Sequence, residues 1–291
     1  MTSIHSQAGA LSDGDFERIR ALMRDRAALD LSLTRKVLVV SRLAQRLRQL
    51  NVPSFGDYVD FVESGRDPNE LHLLVDLLTT HETYFFREPE HFEHLAKVIV
   101  PTYAGRSFRA WSAASSTGEE AYSIAMTLMS TLGLSMPWEV VGTDVSRDAV
   151  RRAARGVYRP DRLEQMPKGY IGRYCRRHGD DDSAICIVPA LRSRVHFQVL
   201  NLAAPLAAVG GFDVIFLRNV LIYFDKDMRT QVLNQVCQQL NPGGWLVLGH
   251  AEIMCARPSG LRQGTSTIYR KPAMQPAHMK TRAAPSYSPV L

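Results

Sequence analysis

The chain changes its pattern at Ser107, and this change decides what it can fold into. Beyond it, short apolar segments alternate with stretches of helical length, which is typical of an α/β fold with a doubly wound parallel sheet. The predicted strands are Phe108–Ala113, Glu139–Thr143, Val195–Leu200, Val214–Leu217, Trp245–Gly249 and Ser266–Arg270. The predicted helices are Glu119–Leu132, Arg147–Gly156 and Lys226–Leu240, and Asn241–Gly244 predicts a turn before the fifth strand.

The preceding residues follow a different pattern, with apolar residues at helical spacing and no alternation of β-branched residues. We therefore predict a helical domain over residues 1–80 and an α/β domain over residues 81–271. Ser12 is expected to cap the first helix, because its hydroxyl can accept a bond from a free amide of the first turn. Further helices are predicted at Leu31–Leu50, Phe55–Ser64 and Asn69–Leu78.

The predicted helix Leu31–Leu50 is amphipathic. Its apolar positions define a predicted buried face: Val37, Val40, Leu43, Leu47 and Leu50. Arg35, Arg42 and Arg46 project on the far side within a band of about 40°. These arginines are a candidate docking surface for an acidic partner, and the alternative is an ordinary solvated face.

Two further segments stand apart from the regular pattern. Residues 160–194 are too long for a simple crossover between a helix and a strand, so we predict a small insertion with a helix and a β-hairpin. Residues 272–291 contain four prolines and few large apolar residues, which predicts a disordered tail.

Composition narrows the class of protein. Hydrophobic residues make up 45% and charged residues 22%, no apolar run has the length of a membrane span, and residues 1–15 lack the layout of a signal peptide. We therefore expect a cytoplasmic protein without membrane insertion. The net charge of +6 weakly favours an acidic partner surface or nucleic acid. The four cysteines have no CxxC spacing and the nine histidines no metal-ligand spacing, so reduced thiols and no metal site are expected.

A loop of small residues, Ser112–Gly118, connects the first strand to a helix that opens with Glu119 and Glu120. Small residues let the backbone come close to a nucleotide-like ligand. No GxGxxG is present, and acidic residues at a helix N-terminus repel a pyrophosphate. They suit the cationic sulfonium and ammonium of S-adenosylmethionine (SAM). The alternative is that both are ordinary first-turn acids favoured by the helix dipole.

Polar residues follow two other predicted strands. Asp144 ends the second strand, where a carboxylate can accept two bonds from a ribose diol; the alternative is a helix cap, for which Ser146 is the better candidate. Arg218 and Asn219 end the fourth strand, where ligands of open α/β sheets bind, with Tyr223 close behind; the alternative is a surface loop in which Asn219 caps a helix.

The segment Thr80–Arg87 combines two threonines, three consecutive aromatic residues and an arginine. Arg87 can pair with the carboxylate of a cofactor. In the alternative, the aromatic residues are core and Arg87 forms a surface ion pair, and both readings can hold at once. His250, after the fifth strand, is either a residue of the acceptor pocket or a structural histidine.

The segments Thr80–Arg87, Ser115–Glu120 and Arg218–Phe224 together resemble motifs of the CheR family of chemotaxis receptor methyltransferases, and the resemblance covers roughly residues 12–271. It implies a SAM-dependent methyltransferase fold with an N-terminal helical domain and a small β insertion. It also implies methyl transfer from SAM to glutamate carboxylates of chemoreceptors, giving methyl esters and S-adenosylhomocysteine. The implied cofactor contacts are His81, Thr83, Arg87, Glu119, Asp144, Asn201, Leu202, Asn219 and Val220; His81 replaces the family's usual Asn.

This resemblance sets expectations for the chemistry. An acceptor glutamate with an ordinary pKa near 4.3 is already an anion at neutral pH, so alignment and exclusion of water are needed but no general base. We expect Arg218 and Tyr223 to orient the acceptor. Arg35, Arg42 and Arg46 are expected to dock the receptor.

Two other functions stay open: a small-molecule O- or N-methyltransferase, and a SAM-binding adaptor without catalysis. The first needs a lid over a closed pocket. The second would bind SAM without transferring its methyl group. A nucleic-acid amino-methyltransferase is disfavoured, because no Asp/Asn-Pro-Pro-aromatic motif ends the fourth strand. No nucleic-acid partner is expected.

Overall fold

The helical domain comes first in the computed structural model, which describes residues 10–103, 106–179, 184–206, 210–254 and 257–273. The Ser12 hydroxyl accepts a bond from the amide of Asp15 at 3.0 Å, which confirms the predicted cap. A 3₁₀ turn at Leu33–Arg35 precedes the second helix, which therefore begins later than predicted. The four helices are α1 (Asp13–Ala27), α2 (Lys36–Leu50), α3 (Phe55–Glu63) and α4 (Pro68–Leu78).

The buried face of α2 differs from the prediction. Val39, Leu43 and Leu47 are fully buried in the core of the helical domain, at a spacing of four residues. Val37 is 79% exposed, so its assignment to the buried face is wrong. At 100° per residue, position 37 lies about 160° around the helix from position 39, which turns it away from that core.

A helical stretch that the sequence reading missed joins the two domains. It consists of α5 (Pro89–His94), a π-helical turn at Leu95–Ile99 and a 3₁₀ turn at Val100–Tyr103. Proline is common in the first turn of a helix, where its missing N–H costs no bond, and Pro89 marks this start. The motif Thr80–Arg87 therefore leads into this helical stretch, which separates it from the first strand.

The α/β domain alternates strands and helices close to the predicted positions. Its helices are α6 (Glu119–Leu132), α7 (Arg147–Arg155), α8 (Tyr170–Tyr174), α9 (Pro189–Arg192) and α10 (Lys226–Gln238). Its strands are β1 (Phe108–Ala113), β2 (Trp138–Asp144), β3 (Val157–Tyr158), β4 (Cys175–Arg177), β5 (Ile185–Ile187), β6 (Val195–Val199), β7 (Phe212–Leu217), β8 (Leu240–Leu248), β9 (Arg262–Gln263) and β10 (Ile268–Arg270).

Seven strands form the main sheet in the order β6-β2-β1-β7-β8-β10-β9. The first five are parallel, and β10 and β9 are antiparallel at one edge. The strand order reverses at β1, and such a reversal leaves a crevice at the carboxyl ends of the strands. Ala113 pairs with both Thr143 and Leu217, so the residues that follow β1, β2 and β7 are level with one another.

The predicted turn at Asn241–Gly244 is wrong, because these residues belong to β8. Phe212 is level with Leu240, and Val214 with Trp245, so five steps along β8 match two steps along β7. The surplus residues form a bulge, in which Gly243 takes a φ of 81°.

The segment between α7 and β6 forms a separate antiparallel sheet in the order β3-β5-β4. Strands β4 and β5 pair as the predicted hairpin, while β3 is an additional strand. Residues 180–183 of the predicted insertion and residues 274–291 of the predicted tail lie outside the described residues.

Two expectations from composition concern the membrane and the thiols. Across the residues covered by the structure, no helix is both long and apolar enough to cross a bilayer. Cys175, Cys186 and Cys237 are free thiols, and Cys255 lies outside the described part of the chain. Burial raises the pKa of Cys175 and of Cys237 to about 11, so both are protonated at neutral pH.

Candidate active site

A cavity of about 260 Å³ lies at the carboxyl ends of β1, β2 and β7, under the helical domain. Small-molecule sites usually begin at about 300 Å³, so it suits a ligand of nucleoside size better than a large one. Eight of the nine predicted cofactor contacts line the cavity: His81, Thr83, Arg87, Asp144, Asn201, Leu202, Asn219 and Val220. The ninth, Glu119, does not. Of the other predicted site residues, the cavity is lined by Arg35, Arg218 and Tyr223 but not by Arg42 and Arg46.

The loop after β1 forms the floor of the cavity. Its backbone is in the left-handed region at Ala114 and Ser116, with φ of 66° and 50°. Gly118 has a φ of 98°, and a Cβ there would lie 2.8 Å from the Cβ of Ala153, so only glycine fits. The hydroxyl of Ser115 is buried without a hydrogen-bond partner among the described residues, and Ser115 lines the cavity. Such a group is available to a ligand.

Asp144 holds this loop and faces the cavity. Its Oδ2 accepts the amide of Ser116 and its Oδ1 the amide of Ser146, each at 2.9 Å. A carboxylate oxygen can accept two bonds, so each keeps one position for a ligand hydroxyl. Burial raises the pKa of Asp144, and the bond from Ser146 opposes this rise. Ser146 caps α7 through its hydroxyl, which accepts the amide of Ala149 at 3.0 Å and confirms it as the cap.

The first part of the motif at 80–87 lies against the same loop. The Nε2 of His81 is 2.9 Å from the Thr79 hydroxyl, and its Nδ1 is 3.4 Å from the Ser116 hydroxyl. The imidazole therefore reaches the loop after β1 from the helical domain's side. The carbonyl of Thr83 accepts a bond from Arg162 of the insertion at 2.9 Å, which fixes the backbone beside the cavity.

The second part of the motif divides between core and cavity. Phe85 and Phe86 are buried in the core, whereas Tyr84 is 38% exposed. Arg87 donates to the carbonyl of Glu82 at 3.0 Å, and its guanidinium lies 5.8 Å from the centre of the Tyr84 ring. Within the described residues it forms no ion pair, so both of the sequence interpretations hold only in part: aromatic core, and an arginine available to a ligand carboxylate.

Arg218 is fully buried and connects several segments. It pairs with Glu120 at 2.9 Å and with Glu88 at 3.1 Å, and it donates to the carbonyl of Arg87. Its guanidinium also lies 5.8 Å from the centre of the Phe92 ring. Both terminal nitrogens of Arg218 are therefore engaged by groups of the protein, and its role in orienting an acceptor stays a prediction.

The two acids that open α6 have different environments. Glu119 is 1% exposed, accepts the Thr117 hydroxyl at 2.6 Å and does not line the cavity. Glu120 lines the cavity and accepts the Ser112 hydroxyl at 2.7 Å. Burial raises the pKa of Glu120, and the Arg218 charge opposes the rise. Of the two acids, Glu120 therefore faces the cavity, and Glu119 is turned from it by one helix position, a rotation of 100°. The cofactor contact of Glu119 stays a prediction.

The loop after β7 depends on an acid that the sequence reading did not single out. Asn219 has a φ of 56°, and the next amide, that of Val220, donates to Oε1 of Glu252 at 2.9 Å. Glu252 has no exposed surface; burial raises its pKa, and the backbone amides it accepts oppose the rise. Gly249 allows this contact, since a Cβ there would lie 2.6 Å from Oε2 of Glu252. A buried-strand ending followed by Gly-x-x-Glu was the available signal.

Asn201 and Leu202 follow β6 at the other side of the cavity. Asn201 donates to the carbonyl of Arg26 in the helical domain at 3.0 Å and accepts the amide of Ala203 at 2.9 Å. Leu202 is buried. The carboxamide therefore ties the two domains together at the cavity wall.

Partly exposed residues of the helical domain and of the loop after β7 lie together at the edge of the cavity, here called its mouth. The guanidinium of Arg35 lies 5.0 Å from the centre of the Tyr223 ring, and the amide of Asp30 donates to the carbonyl of Tyr223 at 3.1 Å. Ile222, on the same rim, is 44% exposed. An arginine, a phenol and an apolar side chain thus surround the entrance.

The sequence predicted that Arg42 and Arg46 project away from the buried face of the helix, but both bind groups of the protein. Arg42 donates to the carbonyls of Leu77 and Thr79 at 3.1 and 2.6 Å, which satisfies the last turn of α4. Arg46 forms a bidentate pair with Glu70, whose carboxylate is buried. Their side of α2 packs on α4 because the buried carbonyls and carboxylate there need donors. Docking by these two arginines is untested and loses its structural basis.

The polar groups of the cavity fit SAM. Asp144 offers acceptors for ribose hydroxyls, Glu120 an anion for a sulfonium or ammonium group, and Arg87 a cation for a carboxylate. The unpartnered hydroxyl of Ser115 adds a further site for a hydrogen bond. The cavity thus offers hydrogen-bond acceptors for an uncharged diol and groups of both charges for the amino-acid part of a zwitterionic nucleoside.

Comparison with known proteins agrees with this fit. Residues 81–269 match the family model described as CheR methyltransferase, SAM binding domain, and residues 14–79 the one described as CheR methyltransferase, all-alpha domain. A chemotaxis protein methyltransferase of Escherichia coli is 39% identical over 249 residues, which are 84% of this chain and 85% of that protein. Chemotaxis protein methyltransferase 2 of Pseudomonas aeruginosa is 39% identical over 259 residues, 88% of this chain and 92% of that protein. The chain belongs to the CheR family of methyltransferases, with SAM as cofactor.

Proposed function

We propose that the protein methylates glutamate side chains in the cytoplasmic domain of chemotaxis receptors, forming γ-glutamyl methyl esters, and that it acts in the cytoplasm. The observation that carries the proposal is the mouth of the cavity, where the Arg35 guanidinium lies against Tyr223 beside the groups that suit SAM. A cation there favours an anionic acceptor such as a glutamate carboxylate. The chemotaxis names of relatives that are 39% identical support the same substrate.

The side chains of the cavity supply binding, orientation and exclusion of water. Bound SAM supplies an electrophilic methyl group. Asp144, Glu120 and Arg87 hold the ribose and the two ends of the amino-acid moiety. Held by these residues, SAM would present its methyl group to the acceptor carboxylate, with an O–C bond formed in place of the C–S bond and S-adenosylhomocysteine as the product. Because the acceptor is an anion at neutral pH, no residue has to remove a proton.

Positioning around the reacting atoms comes from buried ion pairs and backbone contacts. Arg218 fixes Glu120 and the backbone of Arg87 together, and Glu252 fixes the loop of Asn219. Preorganised groups of this kind avoid the free energy of rearrangement during the reaction. We therefore propose that Tyr223 and Arg35 face the acceptor, and that Arg218 acts through Glu120 and Arg87.

The docking surface that we propose is narrower than the one predicted from sequence. Of the three arginines near α2, only Arg35 lines the cavity, while Arg42 and Arg46 bind α4. The rim with Tyr84 and Ile222, both more than one third exposed, supplies apolar contact next to this charge. An acidic receptor segment that carries glutamates would meet both this charge and this apolar contact.

Methylation of receptor-containing membranes with labelled SAM tests the function. We expect protein-bound label that base treatment releases as methanol, since carboxyl methyl esters hydrolyse in base whereas N-methyl groups do not. Membranes from cells without chemoreceptors are the control. Tight SAM binding without label on receptors would instead favour a non-catalytic adaptor, and label on small molecules alone would favour a small-molecule methyltransferase.

A further inference from the structure

Four side chains with metal-ligating groups meet beside the cavity without lining it: Glu88, Glu90, His91 and His250. One ligand atom of each lies within 4.8 Å of the other three. Three belong to the start of α5 and the fourth follows β8, so the fold joins distant segments and no spacing in the sequence indicates the group. We propose that these residues form a binding site for a divalent transition-metal ion of the Zn²⁺ type, separate from the SAM cavity.

Two of the separations within the group match the edge of a tetrahedral ligand shell. The Nδ1 of His91 is 3.4 Å from Oε2 of Glu88, and the Nε2 of His250 is 3.3 Å from Oε1 of Glu90. Ligand atoms bound tetrahedrally at about 2.0–2.1 Å lie about 3.3 Å apart, which is the edge of that tetrahedron. The same distances exceed the usual N–H···O length of about 2.9–3.0 Å. The other separations reach up to 4.8 Å, so the exposed His250 and Glu90 side chains would have to move to complete the shell.

His91 provides the independent observation for a ligand. It is 1% exposed, its Nε2 lies 2.8 Å from the hydroxyl of Thr267, and its Nδ1 is buried without a hydrogen-bond partner among the described residues. Histidine ligands usually bond their second ring nitrogen to a fixed partner, which orients the ring and presents the other lone pair to the metal. Thr267, itself buried, is such a partner. The unpartnered Nδ1 is therefore directed at the carboxylate of Glu88.

The donor set selects the class of ion. Two imidazoles with two carboxylates suit Zn²⁺, Co²⁺, Ni²⁺ or Cu²⁺, whereas Mg²⁺ and Ca²⁺ prefer oxygen ligands alone. The ion must share Oε2 of Glu88 with Arg218, which lies 3.1 Å away, and with the amide of His250 at 3.3 Å. The Arg218 charge weakens cation binding, so we expect affinity in the micromolar range and not that of a closed structural zinc site. Arg218 keeps its second carboxylate, Glu120.

Titration of the full-length, tag-free protein with Co²⁺ and with Zn²⁺ tests the site. We expect one ion per chain, with the intense visible absorption of tetrahedral Co²⁺ and no thiolate charge-transfer band, and Zn²⁺ that displaces Co²⁺. His250→Ala and Glu90→Gln should each weaken binding at least about tenfold. Both side chains are about half exposed, at 54% and 53%, so these variants should fold, and a thermal melt checks it.

His196→Ala is the matched control. His196 is 62% exposed and lies 3.9 Å from Glu139 without a third ligand of the kind found at the proposed site. It should bind the ions as the wild type does. Binding that needs millimolar ion, binding that His250→Ala leaves unchanged, or equal losses in His196→Ala and His250→Ala would each overturn the proposal. None of these readouts depends on methyl transfer.

Discussion

Replacement of Asp144 by alanine tests its proposed bonds to the ribose of SAM. Each carboxylate oxygen keeps one position for a ribose hydroxyl after accepting a backbone amide. Charge-assisted bonds contribute about 1.5–3 kcal/mol each, so the loss of two corresponds to at least about 3 kcal/mol. At 1.4 kcal/mol per factor of ten, the Kd for SAM should rise about 100-fold or more. Isothermal titration calorimetry with purified variant measures this directly.

The same change also affects stability, because Asp144 holds two buried amides. Leaving the amides of Ser116 and Ser146 unpaired costs about 1–3 kcal/mol each, although relief from burying a carboxylate offsets part of this. Ser146→Ala is the matched control: it removes a helix cap at a cost of about 1 kcal/mol, and the hydroxyl that it removes bonds the amide of Ala149, which does not line the cavity. It should lower the unfolding free energy while SAM affinity stays unchanged. Wild-type SAM affinity in folded Asp144→Ala, or an equal loss in Ser146→Ala, refutes the assignment.

Three further predictions address the buried pairs, the mouth and the chemistry. Arg218→Ala leaves two carboxylates without their partner and should lower the unfolding free energy by about 3–5 kcal/mol in urea denaturation, whereas Lys97→Ala, at an exposed pair, should change it by less than about 1 kcal/mol. Arg35→Ala should lower kcat/KM for receptor several-fold with SAM affinity intact, while Arg48→Ala, exposed near the end of α2, should not; equal rates would remove the mouth from the docking surface. At saturating SAM the rate should stay within about twofold from pH 6.5 to 8.5, since the acceptor ionises near pH 4.3; a tenfold fall per unit below pH 7 would reveal an essential base.

Periodicity predicted the fold well where burial repeats along one element. The core strands β1 and β7 and helix α6 lie close to the predicted positions, because most of their residues are buried in the core. Prediction failed where tertiary contacts override the local pattern. Gly243 and its neighbours have the sequence of a turn, yet backbone hydrogen bonds with Lys271 and Pro272, just after β10, extend the strand across them. The π-helical turn after α5 carries no pattern of its own that distinguishes it from a loop.

The site shows a similar division. Polar residues at strand ends predicted where ligands gather, and the fold brings Asp144 and Asn219 to one cavity. Which of the two neighbouring acids faces the cavity depends on the rotation of α6, which turns Glu120 toward it. Arg218 pairs with Glu88 from a distant segment, and no spacing in a single sequence predicts such a contact.

Backbone strain points to the same region as the charges do. Of the seven described non-glycine residues with positive φ, two end α1 and α2, and the other five surround the cavity or adjoin it: Phe86, Glu88, Ala114, Ser116 and Asn219. A non-glycine residue in this conformation costs about 1–3 kcal/mol and persists only where its surroundings enforce it. The enforcing groups are buried and polar: Asp144 bonds the amide of Ser116, and Glu252 that of Val220, next to Asn219. Asp144 and Glu252 therefore stabilise the strained loop conformations that shape the cavity. Removing either acid should weaken SAM binding even if that acid does not contact the ligand.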